Sequence, residues 1–162
     1  MSRIQKFFAF FGRICISALF LYSASIKMLD WQSSETTITN LICDWHASVN
    51  NSPNVERFLE MLLPYNTFIL IGAICLEVIG ALLVFFGYQV RAGATLLLLY
   101  LIPVTVFAHR FWVAEPMNYE AALLQFLSNV CICGGLFSLL AFGSGFNQRQ
   151  DEEPTNPFSK GL

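Results

Sequence analysis

Four stretches of this sequence are apolar for long enough to cross a lipid bilayer, and that restricts every other reading of it. A hydrocarbon core about 30 Å thick takes roughly 20 helical residues. The stretches run from about Phe7 to Leu29, Thr67 to Tyr88, Ala92 to Trp112 and Ala121 to Phe142. Composition agrees. Charged residues make up 12% of the chain and apolar residues 56%, where a soluble domain carries about 25% charged residues. The 162 residues fit one domain. The expectation is an all-α polytopic membrane protein, with four transmembrane helices in an up-down bundle and a long first outer loop.

The first stretch has Arg3 and Lys6 before it, and Ser23-Ala24-Ser25 resembles a cleavage site. Its length and the Arg13 within it favour a retained span over a signal peptide. Lysines and arginines near helix ends set orientation. Arg3, Lys6, Arg13, Arg91, Arg149 and Lys160 fall on one side, and Lys27, Arg57 and Arg110 on the other. Both termini and the 88–91 turn are therefore expected in the cytoplasm, which requires an even number of spans.

The connection from Asp30 to Asn66 is the one long loop. It carries a helical pattern at Thr36–Val49, a turn at Asn50–Asn54, and a short amphipathic segment at Val55–Leu63 stopped by Pro64. Trp31 and Trp45 suit the membrane interface. The loop is expected to lie as a lid on the outer leaflet. Residues 1–146 are read as the membrane domain. Residues 147–162, with Asp151-Glu152-Glu153-Pro154, are read as a disordered cytoplasmic tail.

Several function classes drop out. No basic cluster serves nucleic acid. Of Cys15, Cys43, Cys75, Cys131 and Cys133, only Cys43 lies outside the apolar stretches, so this is not a secreted disulfide scaffold. Cys131 and Cys133, two apart on a helix, point about 200° apart and read as small buried hydrophobes. His46 and His109 lack any metal-ligand spacing, so no metal site is expected.

The candidate site residues are polar groups where lipid makes them expensive. Glu77 falls near the middle of the second span. A comparable Asp, Lys or Arg there costs about 2.5–3.5 kcal/mol on insertion scales. Ala73, Gly80 and Ala81 surround it on the helix, a small-residue face suited to helix packing. It is either protonated and hydrogen-bonded, or ionised beside a cation. Lys27 lies one turn from the outer end of the first span, with Asp30 as a local partner at i+3 and snorkelling as the plain alternative. His109 and Arg110 close the third span, with Thr105 one turn before His109 and Pro103 bending the helix. Asn129, two turns into the fourth span, reads as an interhelical hydrogen-bonding group or a ligand contact. By the topology, Lys27, His109, Arg110 and Asn129 share the outer third of the membrane with Glu77 just below. Their convergence into one pocket under the loop is the expectation to test.

These residues in this order resemble the DoxX family of small four-helix membrane proteins. The resemblance lies in Gly12-Arg13, Leu19-Phe20, Lys27 and Asp30; in Glu77, Gly80, Leu83 and Gly87; in Arg91 and His109-x-Phe111-Trp112; and in Asn129 with Gly134-Gly135. It spans about residues 10 to 145. The resemblance implies an inner-membrane location and a part in quinone-linked or thiol-stress redox chemistry, as a subunit or anchor beside a redox protein partner or as a homo-oligomer. It implies an outward-opening site for a quinone or another small reductant, and leaves the cofactor open between them. On that reading Glu77 and His109 handle protons as the catalytic candidates. Lys27 and Arg110 bind an anionic group, and Asn129 orients the ligand. No C-x-x-C is present, so thiol–disulfide exchange by this chain alone lacks its usual reactive motif. The alternatives are an oligomeric small-molecule transporter and a non-catalytic scaffold or cargo adaptor.

Overall fold

A computed structural model describes residues 3–48, 53–114 and 116–143. Six α-helices account for most of them: α1 (Arg3–Leu29), α2 (Trp31–Ser48), α3 (Pro53–Leu62), α4 (Asn66–Phe86), α5 (Val90–Ala108) and α6 (Tyr119–Phe142). Single 3₁₀ turns at Leu63–Tyr65 and Phe111–Val113 lead into α4 and out of α5. No strand occurs among the described residues. Four segments are long and apolar enough to span a bilayer: Phe7–Leu29, Arg57–Phe86, Val90–Val113 and Tyr119–Phe142. The chain is an integral membrane protein with lipid as its main solvent. Its exposed Phe7, Phe8, Phe86 and Phe142 are then ordinary lipid-facing residues.

The bundle packs in the order α1, α4, α5, α6. All four helices feed one core: Phe20 from α1, Ala81 and Val84 from α4, Ala94, Leu97 and Leu101 from α5, and Leu136 from α6. Lipid tails give helices no hydrophobic reason to associate, so close packing must hold them. Glycine makes that possible between α4 and α5. A Cβ on Gly93 would lie 2.8 Å from the Gly80 carbonyl oxygen, and one on Gly80 would lie 2.9 Å from Leu97. The turn joining these helices is equally tight. Gly87, at φ 72°, ends α4 in the left-handed region, and Gln89, at φ 50°, starts α5.

The long loop between the first two spans is two helices. α2 begins at Trp31, five residues earlier than its sequence pattern indicated. The reason is Asp30, whose carboxylate accepts a hydrogen bond from the Ser33 backbone N–H at 3.3 Å and caps the new helix. Asp30 is therefore not Lys27's partner. One face of α2, at 34, 37, 38, 41, 42 and 45, repeats with helical period and turns inward.

Two sets of contacts fasten α2 down. At its start, Glu35 accepts a hydrogen bond from the Thr67 hydroxyl, and Thr39 accepts one from the Asn66 amide at 2.9 Å. A carboxylate at the N-terminus of α4 is also favoured by the helix dipole. At its other end, the Trp45 indole N–H donates to the Phe107 carbonyl at 3.0 Å, one of the last carbonyls of α5 and short of a helical partner. Arg110 stacks 4.8 Å from the Trp45 ring centroid and donates to Ser48 Oγ at 3.3 Å. The loop thus forms a lid, bolted to the start of α4 and the end of α5. The segment expected to be a disordered tail lies outside the described residues.

One smaller expectation changes. Cys131 is exposed and Cys133 only partly buried, because the buried face of α6 runs through Asn129 and Leu136. Pro103 sits inside α5, where the sequence places it.

Candidate functional site

Glu77 is fully buried. A carboxylate so placed needs a cation or a proton, and the structure gives it a cation. The Lys27 ammonium lies 2.7 Å from Oε2 and 2.8 Å from Oε1. Two groups complete the cluster. Lys27 also donates to Ser23 Oγ and to Tyr100 Oη, both at 2.8 Å. The Ser23 hydroxyl in turn donates to Glu77 Oε1 at 2.9 Å. The Lys27 ammonium stands 5.0 Å from the centroid of the Tyr100 ring.

Helix geometry explains the set. Ser23 and Lys27 are one turn apart on α1, so they share a face. That face meets α4 at Glu77 and α5 at Tyr100. The Lys27 stem crosses apolar surface to reach them, and its side chain keeps 23% of its exposure. Phe20 packs edge-on to Tyr100 at 6.3 Å, closing the cluster from below.

Above the cluster lies a cavity of about 560 Å³, roofed by α2 and α3 and walled by α4 and α5. Its volume is typical of small-molecule sites. Leu41 and Ile42 of α2, Leu59 of α3, Leu70 of α4 and Val104 of α5 make it apolar. Lys27 and Tyr100 reach its wall from the cluster, and Ala73 lines it one turn before Glu77. Phe58 and Phe107, also on the wall, are exposed on their outer sides. The chamber is thus apolar almost throughout, with Lys27 and Tyr100 among the residues that line it.

Of the five residues expected to converge, the structure brings two together. Lys27 and Glu77 pair directly. Arg110 instead holds the lid through Trp45 and Ser48, with Asp44 at 3.9 Å. His109 and Arg110 do not line the chamber, and neither does Asn129. The reason for the first two is that α5 stops at Ala108. His109 (φ −107°, ψ 60°) and Arg110 (φ −80°, ψ 76°) are off the helix, so the helical phase that linked His109 to Thr105 no longer applies. Thr105 itself is buried, with its hydroxyl donating to the Leu101 carbonyl at 2.7 Å. Asn129 is buried on α6, which packs on α5, and it makes no hydrogen bond to Lys27 or Glu77.

Tyr100 and Ser23 belong to the site although neither stood out in the sequence. Ser23 could have been found from its i−4 spacing to Lys27. Tyr100 lies on the face of α5 that also carries Gly93 and Leu97, the face that closes on α4. No group of three or more histidine, cysteine, aspartate or glutamate side chains gathers among the described residues in a way that would hold a metal.

A small polytopic bundle with a buried ion pair beneath a lidded apolar chamber is the class of protein that the fold and site define. The sequence model of the DoxX family matches residues 8–110, well over half of the chain, and the chain belongs to that family. The match takes in α1 to α5, hence the Lys27–Glu77–Tyr100 cluster and the lid, and ends before α6. No curated protein and no solved structure matches the chain.

Proposed function

We propose that this protein is the membrane component of a redox system, and that its own part is to hold a lipophilic redox molecule of the quinone class in the chamber beneath the lid. One observation carries the reading: an apolar chamber of about 560 Å³ ends at a Lys27–Glu77–Tyr100 cluster. An isoprenoid or alkyl tail suits the leucine, isoleucine and valine walls. A ring carbonyl suits the polar end. The chain contributes binding and orientation, with Glu77 as the proton-handling carboxylate, and a partner protein supplies the electrons. The exposed Phe58 and Phe107 offer a membrane-side approach for a ligand that travels in lipid.

The test is mass spectrometry of the protein purified from its native membrane in mild detergent, reading bound quinones and proteins together. The expected result is a quinone near one per chain, severalfold depleted in Ala73→Phe, which fills the chamber, and retained in His109→Ala, which leaves the wall intact. A wild-type protein carrying no quinone, or one whose quinone content ignores Ala73→Phe, would overturn the reading.

A further inference from the structure

We propose that Arg13 holds a phosphate anion against the turn between α4 and α5, at the end of the bundle remote from the chamber. The site is separate from the chamber and independent of what fills it.

Arg13 lies within the spanning segment Phe7–Leu29. Six residues past Phe7, at a rise of 1.5 Å each, put its Cα about 9 Å along that span. A guanidinium at such a place needs a counter-charge or a reach to the head groups. Its surroundings fix it without neutralising it. Its guanidinium carbon stands 5.8 Å from the centroid of the Phe10 ring. Nη1 rests on Gly87, where a Cβ would lie only 2.5 Å away. Glycine is therefore required at 87 twice over, for the left-handed turn at φ 72° and for the room it leaves the arginine.

The bonding of Arg13 is incomplete. Nε is buried and has no hydrogen-bond acceptor. Ser17, one turn further along the same face of α1, does not supply one, and its own hydroxyl is buried and unpaired. These are the only two buried side-chain polar atoms left so among the described residues. An unpaired donor on a charged group is the costlier kind. No ion pair among the described residues involves Arg13.

The charge around the site is of one sign. Asp30, Glu35, Asp44, Glu56, Glu60 and Glu120 lie on the lid or at the start of α6, and Glu77 is taken by Lys27. The opposite end carries Arg3 and Lys6 at the start of α1, and Arg91, which packs on Gly143 and donates to the Ala141 carbonyl at 3.3 Å. The turn that Arg13 touches also starts α5, whose cap residue Gln89 makes no side-chain hydrogen bond to the helix. The positive end of the α5 dipole is thus uncapped beside a guanidinium without a carboxylate.

A guanidinium fork fits phosphate oxygens two at a time. The neighbourhood favours a phosphate that carries acyl chains over a free one. Phe11 and Phe86, close in sequence to Arg13 and Gly87, are exposed, and apolar surface of that kind rewards a lipid but not an inorganic ion. Basic pockets between spanning helices are a recurrent setting for anionic head groups.

The test is native mass spectrometry of the full chain in a neutral detergent, titrated with phosphatidylglycerol or with phosphatidylcholine of the same chains. The first phosphatidylglycerol is expected to bind about tenfold more tightly than phosphatidylcholine. Arg13→Gln should remove that preference. Arg13→Lys keeps the charge but not the fork, and should weaken phosphatidylglycerol about threefold. Arg3→Gln removes one positive charge from the same end and should change nothing. Excess inorganic phosphate tells the two sources apart: displacement of the lipid would make the free anion sufficient for the site, and retention would assign the site to the lipid. Equal binding of the two lipids, with no adduct of inorganic phosphate, overturns the proposal. So does an Arg3→Gln loss as large as that of Arg13→Gln, which would mean diffuse attraction to a positive surface. Arg13→Lys binding as tightly as the wild type overturns the forked contact.

Discussion

Glu77 and Lys27 are partners with unequal means of escape. Glu77 has no exposed surface, whereas the Lys27 side chain keeps 23% and a flexible stem that can carry its ammonium outward. Removing one member of a buried pair typically costs about 3–5 kcal/mol, because the other charge is stranded, while replacing both by apolar residues is often neutral. Lys27→Met should therefore destabilise the protein by an amount in that range, and Glu77→Leu by less. The double variant should recover most of the loss. Unfolding midpoints in mixed micelles, as anionic detergent is raised, would measure all three. A Lys27→Met loss no larger than that of Glu77→Leu would show that the exposure of Lys27 does not matter. This pair also marks the limit of what the sequence disclosed. Each residue was legible singly as a charge that lipid penalises. Their partnership was not, because fifty positions separate them and only the rotation of α1 against α4 decides whether they meet. Tyr100 stayed hidden for a related reason. A tyrosine in an apolar helix is as much a packing residue as a polar one until its hydroxyl is seen beside an ammonium.

Among the helices, α2 carries the chamber's roof and is fastened at two points of different character. The α4 end uses side-chain hydrogen bonds through Glu35 and Thr39. The α5 end concentrates its contacts on Trp45, which donates to the Phe107 carbonyl, packs 5.2 Å from the Phe107 ring and lies under Arg110. A hydrogen bond contributes about 1 kcal/mol, and a cation–π contact at a partly exposed site about 0.5–1 kcal/mol. Replacing Trp45 by leucine removes both and should free the second half of α2. Amide exchange across residues 41–48 is expected to speed up about tenfold while α4 and α5 keep their protection. Exchange that rises equally in the bundle would mean that the lid is part of its core. The sequence foretold two helices in this loop because an apolar stripe and Pro64 are local signals. It missed where α2 starts, since Asp30 acts as a cap only once the chain has left α1. It also missed the role of Arg110, whose placement depends on α5 stopping at Ala108.

At the scale of the whole molecule, the ion pair, the chamber and the lid all lie toward one end of the bundle. Function therefore depends on which side of the membrane that end faces. The positive charges at the opposite end, among them Arg13 against the turn at Gly87 and Arg91 against Gly143, favour retention in the cytoplasm. On this basis we expect the chamber to open away from the cytoplasm. Cys43, exposed on α2, gives a native reporter of that orientation, since Cys15, Cys75, Cys131 and Cys133 all lie within spanning helices. A membrane-impermeant maleimide added to intact cells, or to spheroplasts where an outer barrier exists, should label the protein. Cys43→Ser should abolish most of the label, and a cysteine added at the C-terminus should react only after the membrane is opened. Labelling of that added cysteine in sealed membranes would reverse the orientation. It would place the chamber, and any quinone chemistry linked to it, on the cytoplasmic face. The geometry of Lys27, Glu77 and Tyr100 would stand unchanged, but the proton released or taken up there would be exchanged with the other compartment.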